Sequence, residues 1–207
     1  MNQSKPKILV LFYTMYGHIL AMSNAVVEGV REAGGEPLLQ RVEELIPEES
    51  CSAEMLRVRK LCAEIPIADP RKALDGIDGI IVGTPTRFGN MTAQMRNFWD
   101  QTGAAWTNGD LIGKPASVFT SSNTQHGGQE TTIITTMISL LHHGCVIVGL
   151  PYSFTEQLAT DEVCGGSPYG ASTIAGGKGE RRPSEKELQM ARHVGTHLTT
   201  IAKKLSS

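Results

Sequence analysis

Lys7-Ile8-Leu9-Val10-Leu11-Phe12-Tyr13-Thr14-Met15-Tyr16-Gly17-His18-Ile19 is the stretch whose reading decides the fold. The unbroken apolar run 8–13 is too short to cross a membrane and matches a strand buried on both faces. It stops at Thr14 and bends through Gly17. Beyond the bend Ile19, Met22, Val26, Val30 and Ala33 recur every three or four residues, which is one apolar face of a helix. The stretch therefore predicts strand, hydroxyl-bearing turn, helix. A helix N-terminus offers unpaired N–H groups and partial positive charge, and the Thr14 hydroxyl adds a donor beside them. Such a turn suits a phosphate, although a plain connection in an α/β domain carries the same pattern.

Working outward, Gly34 and Gly35 end this first helix, and 37–42 reads as a second strand. Residues 43–68 carry charges and two prolines with little periodicity. A short helix over 53–62 fits there, and the segment reads as a connecting excursion of weak functional content. Asp69-Pro70 has the form of an N-cap followed by proline at the first helical position. A third strand runs over 79–86, and Thr92 caps a helix over 93–101 that Gly103 closes. A fourth strand covers 114–120, followed by the polar loop 121–129, a helix over 130–143 and a short fifth strand at 146–148. Strands alternating with helices imply a parallel sheet covered on both faces. Residues 151–183 are rich in glycine and show neither period, so they read as a long loop of the functional or mobile kind. Ser184-Glu185-Lys186-Glu187 is a capping box opening a last helix that reaches Leu205. The expected organisation is one α/β domain over 1–207, with a core of 7–150, a loop of 151–183 and a C-terminal helix of 184–205.

Composition narrows the function classes. The chain has 207 residues, 40% of them hydrophobic and 19% charged, and a net charge of −2, as expected of a soluble globular domain. No basic field recruits nucleic acid or an anionic membrane, and no stretch approaches the roughly 18 apolar residues of a spanning helix. The segment around Lys5 and Lys7 imitates a signal peptide, but its apolar run is short and a cleavage site is missing. Cys51, Cys62, Cys145 and Cys164 include no C-x-x-C pair, which fits reduced thiols in a cytoplasm.

In an open parallel sheet, ligands sit beyond the carboxyl ends of the strands where strand order reverses. Three loops that follow strands here, 14–18, 85–90 and 121–129, are rich in hydroxyls, glycine and aromatics, and would converge on one crevice. Neither the Walker pattern nor G-x-G-x-x-G after the first strand is present, and there is no G-x-S-x-G elbow. What remains is a mononucleotide, its phosphate on 14–19 and its ring between the other two loops. Tyr16, Phe88, Trp106 and Tyr169 would supply apolar surface to a flat heterocycle. His193 and His197, four apart on the last helix, lack the glutamate of H-E-x-x-H and read as a solvated face. His142 and His143 suit the dipole at a helix C-terminus, and Asp100 reads as a capping or ion-pairing residue.

Longer motifs carry a resemblance. In order they are Thr14-Met15-Tyr16-Gly17-His18-Ile19, Gly83-Thr84-Pro85-Thr86-Arg87-Phe88-Gly89-Asn90-Met91, Asp100-Gln101-Thr102-Gly103 and Gly127-Gly128-Gln129-Glu130. His142-His143-Gly144 and Ser167-Pro168-Tyr169-Gly170-Ala171-Ser172-Thr173-Ile174-Ala175-Gly176 follow. The chain resembles the flavodoxin-like NAD(P)H:quinone oxidoreductases, the WrbA family, over nearly its whole length apart from 43–68. The resemblance implies a doubly wound, five-stranded parallel sheet, one FMN per subunit and a homotetramer with active sites at subunit interfaces. It further implies that Thr14, Met15, Tyr16, Gly17, His18 and Ile19 hold the FMN phosphate, while Thr86, Arg87 and Phe88 line the isoalloxazine. Ser121, Ser122, Asn123, Thr124, Gln125 and His126 would close over its other edge, in a loop with more side chains than the glycine-dominated version of some relatives. His142 would reach FMN from a neighbouring subunit, Tyr16 would contact NADH or NADPH, and Trp106 would contact the quinone. The implied activity is ping-pong, two-electron reduction of quinones in the cytoplasm, with the flavin carrying the chemistry and no catalytic protein residue. Two rivals fit less well. One-electron carriers of flavodoxin type are usually strongly acidic, unlike this chain, and a regulatory binding module finds no basic stripe for DNA.

Overall fold

A computed structural model describes residues 5–205. Strand β1 (Lys7–Phe12) sits inside a parallel sheet between β2 (Glu36–Arg41) and β3 (Gly79–Pro85), with β4 (Pro115–Ser122) and β5 (Val146–Ile147) beyond β3. The order β2-β1-β3-β4-β5 is the expected five-stranded arrangement. The chain moves outward from β1 to β2 and returns to β3, so strand order reverses beside β1. The loops leaving β1 and β3 diverge there and open a crevice.

The alternation within β1 sorts the core into two layers. Ile8, Val10 and Phe12 face α1 (His18–Glu32) and α6 (Glu185–Leu205), meeting Ile19, Met22, Val26, Met190, Val194 and Leu198. Leu9, Leu11 and Tyr13 face the other way, toward Met95, Phe98 and Trp99 of α3 (Ala93–Asp100) and Ile133 and Leu140 of α5 (Gln129–His142). A strand apolar on both sides is thus a consequence of helices on both sides.

Helices α1 and α6 cross where neither has a side chain. A Cβ on Gly29 would lie 1.9 Å from the Arg192 carbonyl oxygen, and one on Gly195 would lie 2.3 Å from that of Val26. Backbone cannot yield as a flexible side chain can. Gly29→Ala is therefore expected to cost about 3 kcal/mol or more, lowering Tm by roughly 6–12 °C. A thermal melt within about a degree of the parent would show that the helices slide apart freely.

Four local expectations need correction. Asp69-Pro70 opens no helix: the Asp69 carboxylate accepts from Arg71 N–H at 3.0 Å and its carbonyl from Ala73 N–H at 2.8 Å, but the following residues form only turns. Gly103 does not end α3, which stops at Asp100 with Gln101 as its C-cap; it begins a separate short helix, α4 (Gly103–Asn108). Ser121 and Ser122 belong to β4, so the polar loop starts at Asn123. The segment 151–183 is not wholly irregular. Within it β6 (Ser172–Ile174) pairs in parallel with the C-terminal end of β4, Thr120 to Ser122, while β5 pairs with its N-terminal end. The fifth strand position is thus shared by β5 and β6, with 148–171 inserted between them. A three-residue strand gives too little alternation to be seen in sequence.

The capping box is present, with Ser184 N–H donating to Glu187 at 2.8 Å and Glu187 N–H to Ser184 Oγ at 3.3 Å. Asp100 pairs with Arg96 at 3.0 Å. His193 and His197 are half-buried rather than solvated, their rings stacked with centroids 6.0 Å apart and Phe154 packed on His193. The four cysteines are free. No helix among the described residues is long and apolar enough to cross a membrane, and no group of metal-ligating side chains occurs among them.

Candidate active site

The crevice beside β1 holds a cavity of about 500 Å³. Its lining comes from all three loops foreseen in sequence. Thr14, Met15, Tyr16, His18 and Ile19 contribute from the first, Thr86 and Arg87 from the second, and Ser121, Ser122 and Asn123 from β4 and its exit. Gly17 shapes the first loop, capping α1 in the left-handed conformation (φ 91°) and bringing no side-chain acceptor to the first-turn N–H groups. A residue with a Cβ would be strained there.

Hydroxyls around the cavity keep a proton to offer. Thr14 Oγ1 accepts from Gly17 N–H at 3.1 Å, which leaves its own O–H as a donor. Thr86 Oγ1 accepts from Gly89 N–H at 3.2 Å and from the Thr132 hydroxyl at 2.7 Å, so its O–H is likewise available. A second helix N-terminus stands nearby, with Gly128 capping α5 at φ 94°. Free hydroxyl donors, a helix start without a side-chain cap and a cavity of this size fit a phosphomonoester joined to a flat ring. Such a set fits FMN.

Arg87 is folded against its own loop. It donates to the Thr86 carbonyl at 2.9 Å and reaches the Met15 sulfur at 3.3 Å, bridging the first and second loops with its charge on the cavity. His18 is buried, which pushes its pKa below the ordinary histidine value against the opposing bonds to the Arg181 and Gly179 carbonyls. Its Nε2 lies 3.0 Å from the Arg181 carbonyl and is therefore the protonated nitrogen.

Several expected contacts are not made within one chain. Phe88 is fully exposed at the tip of a two-residue turn, with Arg87 and Asn90 exchanging backbone bonds of 2.8 and 3.0 Å. Its φ of 54° is left-handed, a conformation costly for a bulky side chain, and such strain clusters at ligand clamps. Thr124, Gln125 and His126 lie on an exposed stretch outside the cavity lining, and Tyr169 is also elsewhere. Trp106 and His142 are together, Trp106 Nε1 donating to the His142 carbonyl at 3.0 Å, but in a separate groove with Arg96, Trp99, Ile138 and His143.

Sequence reading missed the far wall. Ala175, Gly177, Lys178 and Gly179 line the cavity from the loop after β6, joined to β4 by Ala175 N–H donating to the Ser122 carbonyl at 2.7 Å. It also undervalued 43–68. Helix α2 (Ala53–Leu61) brings Glu54 to the cavity. The Arg57 guanidinium, with help from Arg182, holds the Glu54 carboxyl down to about 2. Behind the first loop, Glu44 accepts from Tyr13 Oη at 2.9 Å, Gln94 Nε2 at 2.8 Å and Ile46 N–H at 3.0 Å. Burial alone would raise Glu44, but these donors and Arg59 outweigh it and lower its pKa; burial, then Glu44, pushes Tyr13 up. The only hint of these roles was the spacing of acids and arginines, which ordinary solvated faces share.

Fold and cavity together define a flavodoxin-like protein with a mononucleotide crevice. A family model described as NADPH-dependent FMN reductase matches residues 25–159, a span that begins inside α1. A Rhizobium rhizogenes protein named NAD(P)H dehydrogenase (quinone) is 56% identical over 199 residues, covering 96% of this chain and 98% of its own. A Geotalea uraniireducens protein of the same name is 54% identical over 202 residues, covering 97% and 99%. Among solved structures, a flavodoxin, WrbA-like protein from Agrobacterium tumefaciens superposes with a TM-score of 0.66 at 22% identity, covering 97% of this chain and 99% of that one. Oxidised flavodoxin 1 from Bacillus cereus gives 0.59 at 16% identity, covering 94% and 97%. The chain belongs to the NAD(P)H dehydrogenase (quinone) family.

Proposed function

We propose that this protein is an FMN-dependent NAD(P)H:quinone oxidoreductase that reduces quinones to hydroquinones. The observation that carries the site reading is the Thr14 hydroxyl beside the side-chain-free N-terminus of α1, opening into a cavity walled by three strand-following loops. Bound FMN supplies hydride acceptance and two-electron donation, chemistry no side chain here possesses. The protein's part is to bind, orient and polarise. Residues 14–19 hold the phosphate through neutral donors and the helix dipole. Thr86 and Arg87 face the ring, where a donor hydroxyl and a guanidinium stabilise negative charge on its reduced form. Tyr16, exposed at the mouth, is placed to meet NADH or NADPH.

The same reading includes a homotetramer in the cytoplasm. It accounts for Trp106, His142 and Phe88, which are exposed on a single chain although the resemblance implies that they contact flavin or quinone. A second subunit would bring the Trp106–His142 groove to the first subunit's cavity.

Two measurements test the function. Purified protein should bind one FMN per chain with FAD much weaker, since no dinucleotide glycine motif follows β1; equal or tighter FAD binding would sink the mononucleotide reading. If NAD(P)H and quinone share one mouth, initial rates across both concentrations should give parallel double-reciprocal lines. Intersecting lines, with product inhibition of the ternary-complex type, would require two pockets.

A further inference from the structure

The carboxylate of Glu187 is wholly buried, far more than a capping box needs. Besides the Ser184 N–H of the box, its oxygens accept from Gly165 N–H at 3.0 Å, Ile174 N–H at 3.2 Å and Thr173 Oγ1 at 2.8 Å. Arg181 Nη1 meets both oxygens, at 3.0 and 2.7 Å. One side chain thus gathers the end of the inserted segment, β6, the loop after it and the start of α6.

Two branches lead from this hub, one to the cavity and one to the exposed loop after β4. Through Arg181 the path is short. The Arg181 N–H closes the 175–181 loop on the Ala175 carbonyl at 2.8 Å, and its own carbonyl takes the bond from His18 Nε2 in the first turn of α1. The remaining Arg181 bonds, to the carbonyls of Ile174 at 2.8 Å and Val163 at 3.1 Å, fix the guanidinium. Along the other branch, Gly166 N–H donates to Ser172 Oγ at 2.6 Å and Ser172 Oγ donates to Gln129 Oε1. Gln129 Nε2 then holds the Gln125 carbonyl at 3.1 Å. The first branch ends at His18 in the turn at the start of α1, and the second at Gln125, on the exposed stretch outside the cavity lining.

We propose that Glu187 is a positioning residue for cofactor selection: with Arg181 it latches the 175–181 loop over the phosphate end of the cavity and holds His18, and so the phosphate turn, in its binding geometry. Glu187 touches no ligand. The latch acts on the phosphate rather than the ring, so it sets the preference for FMN over riboflavin, which has the same ring and no phosphate. The proposal rests on the placement of the phosphate at 14–19.

The test is titration of the full-length apoprotein with FMN and with riboflavin, followed by flavin fluorescence, alongside thermal melts. Four proteins are compared: the parent, Thr14→Val, Glu187→Gln, and the double variant Glu187→Gln/Arg181→Met. Breaking a buried charge pair from one side can unfold a protein, whereas the double variant keeps volume and orphans no charge, so it secures a folded reading. Loss of charge-assisted bonds in the latch should weaken FMN about tenfold in both latch variants, with riboflavin affinity changed less than about twofold. The double variant should be no worse than the single in FMN preference, because both remove one latch. A lowered Tm with the FMN-to-riboflavin preference intact in the double variant would reduce Glu187 to a structural role and overturn the proposal, whatever Thr14→Val does. If Thr14→Val keeps the preference while the latch variants lose it, the latch stands and the phosphate moves away from Thr14.

Discussion

Thr14→Val is expected to weaken FMN binding about ten- to a hundredfold while leaving the fold in place. Valine matches threonine in shape and β-branching, so the backbone at the end of β1 keeps its preference. What disappears is one hydroxyl. A bond from a neutral donor to a charged phosphate contributes roughly 1.5–3 kcal/mol, and 1.4 kcal/mol is about a factor of ten. The same oxygen also accepts the Gly17 N–H, but that loss is borne by the free and the bound protein alike. Gly17 is only half-buried, so water can satisfy the N–H in the variant. Equilibrium titration of the apoprotein checks the outcome, and riboflavin, without a phosphate, should bind the variant and the parent equally. An unchanged FMN dissociation constant in a folded variant would mean that Thr14 only shapes the turn.

The part of this site legible in sequence was the part built from local chemistry. Residues 8–13 announced a doubly covered strand, and the switch to helical spacing at Ile19 announced the turn between them. Gly17 and Thr14 then follow from what such a turn requires. The opposite wall was illegible for a physical reason. Ala175, Gly177, Lys178 and Gly179 owe their place to Arg181, and Arg181 owes its place to a buried glutamate that sequence shows only as the last residue of a capping box. Nothing local distinguishes a Glu187 that caps a helix from one that also binds four other groups. The same holds for Glu44, whose partners Tyr13 and Gln94 are 31 and 50 residues away. The fifth strand position was half seen, since β5 is short and β6 lies beyond an insertion. Phe88, Trp106 and His142 were singled out through the resemblance, yet a single chain leaves them without the contacts it implies; under the tetramer proposal those contacts come from an assembly.

That assembly carries the other large effect. On α5, Ile134, Ile138 and Leu141 are 40%, 49% and 57% exposed and follow one another at helical spacing, forming an apolar stripe that ends at His142. Ile138 lines the groove that also holds Trp106 and His142. Under the tetramer proposal this stripe is covered by another subunit, which carries Trp106 and His142 to that subunit's flavin. Ile138→Asp should then disperse the assembly, because each copy forfeits about 2 kcal/mol of apolar burial before the cost of drying a carboxylate. Symmetry repeats the loss in every subunit. Quinone turnover and FMN affinity should fall together, each by more than about tenfold at concentrations where the parent is assembled. Because a ligand held only by the assembled form stabilises it by mass action, added FMN should shift the variant back toward tetramer. Leu205→Asp places the same charge on an exposed leucine at the far end of α6 and should leave assembly and turnover unchanged. Sedimentation with and without FMN, paired with activity at the same concentrations, reads all of these outcomes. A monomeric Ile138→Asp protein with parental FMN affinity and quinone turnover would show that one chain completes its own site, and the shared pocket would have to be abandoned.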